Sequence, residues 1–320
     1  MWKAWIEWEK TNPLLLESDD AVYKRVMYAF KQAVMNMRFY PEIWYFLHLS
    51  CVLCPRYSAA EYAKSKGKDA EAADFMKNGI KGNKLSFLLH FQYVEHEEEN
   101  HHVSKFQATL ESLINNISQE FEKMNKMAEF MKLQLDAENE SDLKLLSELP
   151  EDEREPILDR QRNRKQQKEG IDRDHEMRVE RISNDATTAW ITLMHAMRRA
   201  EGIKSARQVF AKARKAKPLS HLIFVASALM EYYNNGDKAI ATKVFELGLR
   251  TYHDKSDYVL HYLDFLLQIN DEASSVHIQR GFADLQMRGR YLSGLYKSYL
   301  HRRRSPYMRG FTNTKLSMAT

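Results

Sequence analysis

The stretch 205–215, SARQVFAKARK, carries a pattern that recurs at 238–250 in KAIATKVFELGLR. In both stretches a small residue is followed at helical spacing by Val-Phe and then by a second small residue. These positions are Ala206, Val209, Phe210 and Ala213 in the first stretch and Ala241, Val244, Phe245 and Gly248 in the second. Spacings of three and four place them on one face of a helix. Because small residues let a neighbouring helix approach and Val-Phe fills the gap, both stretches are predicted to be closely packed helices.

Each of these helices follows an apolar stretch that starts with an aromatic residue. The stretches are AWITLMHAMRRAEG and IFVASALMEYYNNGD, and a third, DYVLHYLDFLLQIND, comes after them; their first aromatics, Trp190, Phe224 and Tyr258, are 34 residues apart. Gly202 and Gly236 lie where each pair turns, and glycine readily adopts the left-handed conformation that ends a helix. Helical pairs repeating every 34 residues are typical of TPR-like arrays. The sequence therefore predicts an all-α fold, an α-α superhelix of HAT/TPR-like helical hairpins.

The N-terminal third repeats this scheme more loosely. First helices are predicted at 2–10, 41–53 and 84–98, and second helices at 19–37, 68–80 and 102–117. In the first helix Trp2, Trp5 and Trp8 fall within an arc of about 120°, with Glu9 to the side. A terminal repeat should present a polar outer face, so this aromatic face predicts that the chain begins within an array.

Two segments interrupt the repeats. Residues 118–183 contain 18 acidic and 13 basic residues with little apolar periodicity, so they are predicted to form a charged insertion, helical or disordered. From Gly281 to Thr320 there are 8 Lys/Arg and one acid, Asp284, with tyrosines interleaved. The predicted organisation is a first group of repeats at 1–117, the insertion at 118–183, a second group at 184–270 and a divergent basic tail at 271–320.

The composition excludes several classes of protein. Only 11 Gly and 7 Pro occur in 320 residues, whereas sheet proteins need turn residues every 8–12 positions or so. No window approaches the apolar length of about 18 residues that a membrane span needs, so no membrane association is predicted. Cys51 and Cys54 form a lone C-x-x-C without a second pair of ligands, and they are predicted to be ordinary residues in a reducing compartment.

The sequence carries no motif for catalysis or metal binding. HEEENHH (96–102) lacks the second histidine four residues after His96 that the helical zinc signature needs, and it is predicted to be the exposed end of a helix. No glycine-rich phosphate loop or nucleophile motif is present, and no acidic residue is expected in an apolar setting that would raise its pKa. We therefore predict a protein that is not an enzyme and needs no cofactor.

Several uninterrupted blocks resemble one family. WIEWEKTNPL, KRVMYAFKQAV, PEIWY, RRAEGIKSARQVFAKAR, ALMEYY and KVFELGLRTYHDKSDYVLHYLDFL are similar, in this order, to the HAT-repeat (Suppressor of forked) subunit of cleavage stimulation factor, whose yeast relative belongs to cleavage factor IA. The resemblance runs from Trp2 to about Asp271, apart from the charged insertion, and mainly covers the family's second HAT block. It implies a nuclear scaffold for mRNA 3′-end cleavage and polyadenylation.

The resemblance also implies partners. The second HAT block forms a homodimer in that family, and other surfaces contact further subunits of the cleavage and polyadenylation machinery, so pre-mRNA would be contacted indirectly or weakly. The repeats expected after Asp271 are not recognisable here. The proline-rich segment that recruits the family's RNA-binding subunit is also missing.

Three sets of site residues follow from these patterns. The residues predicted to pack within repeats are Trp5, Trp8, Trp44, Trp190, Phe210, Phe224, Phe245, Tyr258 and Tyr262. The candidate partner or dimer contacts, near the ends of first helices, are Arg198, Arg199, Glu201, Tyr232 and Tyr233. The candidate RNA contacts in the basic tail are Arg288, Arg290, Arg302, Arg303 and Arg304.

Other interpretations of the sequence stay open. HAT repeats also occur in crooked-neck-like splicing scaffolds. The basic tail could make this an RNA-binding protein, whose affinity would be salt-dependent and lost on deletion of 281–320. A truncated or alternative product without an independent role is the remaining alternative.

Overall fold

The computed structural model describes residues 2–36, 59–148, 150 and 154–269. Within these ranges every regular element is an α-helix, which confirms the all-α prediction. None of the helices there is long and apolar enough to cross a membrane. The chain divides into two compact units, Met1–Ile223 and Phe224–Thr320. This division differs from the repeat groups expected from sequence, whose boundaries at 117 and 183 stay a prediction.

The first unit begins with five helices that pack mainly against their neighbours along the chain. They are α1 (Trp2–Lys10), α2 (Asp19–Asn36), α3 (Ala59–Ser65), α4 (Asp69–Gly82) and α5 (Phe87–Glu99). Their shared core is built on buried residues such as Tyr23, Phe30 and Tyr62. The predicted helices at 2–10, 19–37, 68–80 and 84–98 correspond to α1, α2, α4 and α5. The helix predicted at 41–53 lies outside the described residues.

Two very long helices follow, α6 (Val103–Glu148) and α7 (Glu155–Glu201), and they pack against each other. The prediction that a second helix ends at 117 was wrong, because α6 continues for about eight further turns. No glycine or proline occurs between 103 and 148 to stop it. The sequence left open whether 118–183 is helical or disordered. Residues 118–148 and 155–183 of this segment are helical. We call residues 118–148 and 155–183 the outer hairpin.

After α7, Gly202 at φ 93° makes the turn into α8 (Ile203–Ala213), which packs back on α7. The second unit contains α10 (Lys238–Tyr252) and α11 (Ser256–Gln268), preceded by α9 (Leu222–Asn235), whose first turn holds the boundary between the units. The side chain of Asp237 caps α10 by accepting a hydrogen bond from the backbone nitrogen of Ile240 at 2.9 Å. Such a cap satisfies one of the free N–H groups at a helix start.

Candidate interaction surfaces

Most of the aromatic residues predicted to pack within repeats are buried. Phe245 is fully buried, stacked on Tyr262 with ring centroids 4.9 Å apart and tilted against Phe265 at the same distance. The buried members of the set are Trp190, Phe210, Phe224, Phe245, Tyr258 and Tyr262. These side chains form the core of the hairpins, so they are not available as a binding surface. Trp44 lies outside the described residues.

The glycine of the repeated pattern marks a close approach of α11 to α10. A Cβ atom on Gly248 would overlap the hydroxyl of Tyr258 and lie 3.0 Å from Cβ of Phe224. The Tyr258 hydroxyl donates a buried hydrogen bond of 2.7 Å to the carbonyl oxygen of Phe245. Gly248 therefore makes room for a ring that fastens α11 to the backbone of α10.

The aromatic face of α1 is only partly used. The rings of Trp2 and Trp5 pack together with centroids 5.7 Å apart, and the ring of Trp5 lies edge-on to that of Tyr28 of α2 with centroids 6.3 Å apart. Trp8 is 51% exposed and does not share the packing predicted for it. The residues that α1 buries are Ile6 and Glu9, with Trp2 and Trp5 partly buried against the same core, and this choice leaves Trp8 on the flank.

Glu9 was expected beside the aromatic stripe, but it is buried within it. The indole Nε1 of Trp5 donates to its carboxylate at 3.1 Å, and Arg25 of α2 donates two hydrogen bonds, of 2.8 and 2.9 Å. The hydrogen bonds from Arg25 hold the pKa of Glu9 below its usual value against the opposing effect of burial. The bidentate pair lets a charged group join the α1–α2 contact.

The segment HEEENHH does not form the fully exposed helix end that was predicted. His96 and Glu97 are buried at the end of α5. Burial would raise the pKa of Glu97, but hydrogen bonds from Tyr93, His102 and Lys105 outweigh it and keep that pKa low. Glu97 agrees with the prediction that no acid would have its pKa raised by an apolar setting, but Asp185 contradicts that prediction, because burial raises its pKa. No group suited to holding a metal ion occurs within the described residues.

Two buried histidines and one half-buried histidine of the first unit are expected to make its stability depend on pH. Burial lowers the pKa of His90, His96 and His195. His90 is fully buried, and its Nδ1 lies 2.7 Å from the carbonyl oxygen of Ser86, to which it donates as the neutral ring. These histidines bind protons at a higher pH in the unfolded chain than in the folded one. Their stabilising contribution to the free energy of unfolding is therefore complete above about pH 6.5 and is lost as the pH falls below that value.

We expect the free energy of unfolding of the first unit to fall between neutral pH and the mid-acid range, and His90→Asn to flatten this dependence. Urea unfolding followed by tryptophan fluorescence at several pH values measures it, because all five tryptophans lie in residues 1–223. His101→Asn changes an exposed histidine of the neighbouring turn and should keep the wild-type profile. An unchanged slope in His90→Asn would contradict the assignment to His90.

The structure engages several candidate partner contacts within the chain. Arg199 forms a bidentate ion pair with Glu98 of α5, at 2.5 and 2.8 Å. Glu201 accepts a hydrogen bond of 2.6 Å from the hydroxyl of Ser205. Arg198 is half-buried in the last turn of α7. The RRAEG segment thus connects α5, α7 and α8 of the first unit.

In the second unit the two tyrosines of MEYY differ. Tyr232 packs edge-on against Phe265 with centroids 5.4 Å apart. Tyr233 is 52% exposed, and its hydroxyl accepts a hydrogen bond of 2.6 Å from Gln268. Tyr233 is therefore the more accessible of the two. The five candidate RNA contacts, Arg288, Arg290, Arg302, Arg303 and Arg304, lie outside the described residues.

The outer hairpin is held together by polar pairs across its seam. The pairs run in antiparallel order: Asp142–Arg164 at 2.5 Å, Asp136–Lys168 at 2.8 Å, Lys132–Asp172, and Asn125–His175 at 2.9 Å. Large apolar side chains such as Met127, Phe130 and Leu133 point to solvent instead. An amphipathic helix normally shows the opposite arrangement.

Sequence reasoning missed this hairpin as a candidate surface. The apolar periodicity of the segment is weak, while opposite charges on its two helices form pairs across the seam. The pattern that could have identified it is the acidic run at 136–142 followed by the basic run at 160–168. Charges of opposite sign on successive helices favour an antiparallel ion-paired hairpin.

Comparisons with known proteins agree with the helical-hairpin fold. The sequence model of the Suppressor of forked protein family matches residues 1–300. The mRNA 3′-end-processing protein RNA14 of Cryptococcus neoformans is 34% identical over 294 residues, covering 85% of this chain and 25% of that protein. The protein of the same name from Schizosaccharomyces pombe is 32% identical over 274 residues, covering 86% of this chain and 32% of that protein.

This chain therefore spans only about a quarter to a third of the length of these relatives. The crystal structure of CSTF-77 aligns with a TM-score of 0.51 at 13% identity, covering 94% of this chain and 58% of that chain. At this identity the likeness concerns the fold. Together with the family match over nearly the whole sequence, these findings show that the chain belongs to the Suppressor of forked family.

Proposed function

We propose that this chain is a non-catalytic, homodimerising scaffold segment of the nuclear machinery for mRNA 3′-end processing. The observation that carries the proposal is the name shared by its relatives, which align with 85% or more of the chain at 32–34% identity. The burial of the repeat aromatics supports a structural role for them. Splicing, the alternative pathway, has no comparable support among these relatives.

A stacked array of helical hairpins suits a scaffold, because each repeat contacts only its neighbours and leaves a long surface for partners. Two paired copies would hold bound partners at high effective concentration without any new contact. Affinity purification of the tagged chain from nuclear extract tests the pathway. Recovery of cleavage and polyadenylation subunits supports it, and recovery of splicing factors alone would contradict it.

Light scattering on the purified chain tests dimerisation. We expect a mass of about twice 37.7 kDa at micromolar concentration, and a shift toward monomer in Tyr233→Ala, because an exposed aromatic side chain is a typical interface anchor. Tyr28→Ala is the matched control, since Tyr28 is 57% exposed and Tyr233 is 52% exposed.

A wild-type chain that stays monomeric throughout the micromolar range would overturn the dimer. A dimer equally stable in both variants would keep the dimer but remove Tyr233 from its interface. Circular dichroism of each variant should match the wild type, because both side chains lie largely in solvent.

A further inference from the structure

A groove near the outer end of the outer hairpin is lined by an excess of cations. Four basic side chains of α7 border it, Arg162, Arg164, Lys165 and Lys168. The described residues that line this groove include one acid, Asp136. A groove whose lining is positive on balance concentrates anions.

The sequence of this part of α7 is unusual in its chemistry. Residues 160–168 read RQRNRKQQK, in which every side chain is either a cation or a carboxamide. Cations bind phosphate oxygens, and carboxamides donate and accept hydrogen bonds with phosphate and sugar groups. The outer hairpin holds this run in a helix, so its side chains are presented on a rigid element.

The four cations have different structural roles. Arg164 and Lys168 form ion pairs across the seam with Asp142 and Asp136 of α6. Arg162 is 67% exposed and pairs only within its own helix, with Asp159 at 2.9 Å and more distantly with Glu155.

Lys165 is exposed and makes no ion pair within the part of the chain that the structure describes. Exposed ion pairs such as that of Arg162 contribute little and exchange readily. Arg162 and Lys165 can therefore meet an external anion without loss of the hairpin's own pairing.

Two carboxamides also line the same groove. Oδ1 of Asn139 and Nε2 of Gln161 are buried and have no hydrogen-bond partner within the described residues. Leu135 and Leu158 are the apolar side chains among the described residues that line the groove. Such a lining offers little to the apolar anchors of a peptide.

We propose that this groove binds the phosphodiester backbone of single-stranded RNA. The choice of RNA over other polyanions rests on the proposed function in mRNA 3′-end processing. Arg162 and Lys165 contact the phosphates. The described lining has no aromatic side chain for base stacking, so binding is independent of base sequence.

Fluorescence anisotropy with a labelled oligouridylate of about 20 nucleotides, titrated with the full chain at several salt concentrations, tests this proposal. The variant Arg162→Gln/Lys165→Gln removes two phosphate contacts, each contributing about 0.7 to the slope of log affinity against log salt. We expect that slope to shrink by about 1.4 and the affinity near 0.1 M salt to fall about 20-fold.

The matched control is Arg178→Gln/Arg181→Gln, which removes the same charge from the same helix but from a different groove of the outer hairpin. It should weaken binding less than about threefold. Equal effects of the two double variants, or no effect of the first, would overturn the proposal. Competition by polyglutamate as effective as by unlabelled oligouridylate would assign the groove to acidic peptides instead and overturn it too.

Light scattering on the same samples separates this inference from the proposed dimerisation. A dimer whose RNA binding does not depend on Arg162 and Lys165 would contradict the proposed RNA site and leave the proposed dimerisation standing. A monomer whose RNA binding does depend on them contradicts the dimer alone. Circular dichroism of both double variants should match the wild type, because Arg164 and Lys168 keep the seam intact.

Discussion

Phe245→Ala is expected to lower the local free energy of unfolding of the second unit by about 4 kcal/mol. The Phe245 ring is fully buried among Tyr258, Tyr262 and Phe265, with centroids between 4.9 and 6.2 Å away. Its removal leaves a cavity that the surrounding rings cannot collapse into. The loss includes the aromatic contacts as well as the transfer of the ring to water.

Hydrogen exchange of peptides from 238–268 measures this loss. Tryptophan fluorescence cannot, because residues 224–320 contain no tryptophan. Phe130→Ala is the matched control: the same substitution at a side chain that is 55% exposed on α6 should change local stability by less than about 0.5 kcal/mol. A similar loss at both positions would mean that Phe245 does not lie in a packed core.

Gly248→Ala is expected to destabilise the second unit by about 3 kcal/mol, although alanine is the better helix former. The added methyl group would overlap the Tyr258 ring, which is fixed by its hydrogen bond to the carbonyl of Phe245. The ring must move, so the cost combines overpacking with a buried hydrogen bond that is lost. Hydrogen exchange of peptides from 238–268 again gives the local free energy.

Gly170→Ala is expected to change stability in the opposite direction. Gly170 lies inside α7, and the space that an added methyl group would enter is open, so the substitution should stabilise by about 0.5–1 kcal/mol.

Combining Gly248→Ala with Tyr258→Phe should recover part of the loss, because the clashing hydroxyl is gone. Stabilisation by Gly248→Ala alone would contradict the close approach of α10 and α11.

The helices of the repeats could be predicted from sequence because their periodicity is local. The small–Val-Phe–small pattern identified the packed faces of α8 and α10, and the spacing of aromatics identified residues that are buried. The same reasoning failed at α6, where helix 102–117 continues to Glu148. Apolar periodicity fades there, but no glycine or proline stops the helix, and ion pairs across the seam accompany the few buried apolar side chains, such as Ala128 and Ile157.

The polar residues show the same limit. Glu9 and Glu97 look like ordinary surface acids by sequence, and both are buried. Their partners, Arg25 for Glu9 and His102 and Lys105 for Glu97, come from beyond the end of the helix that carries each acid. A burial that depends on a neighbouring segment cannot be predicted from a single helix.

The sequence by itself determined the helical class, the hairpin repeat, the family and the aromatic residues of the core. These follow from spacing along one helix, which is fixed at 3.6 residues per turn. Only the tertiary structure decided that Trp8 remains exposed while Glu9 is buried, that ion pairs form across the outer hairpin, and that Arg162 and Lys165 stay free of its seam. Each of these depends on which side chains a second helix brings into reach, and the geometry of packing decides it rather than the order of residues.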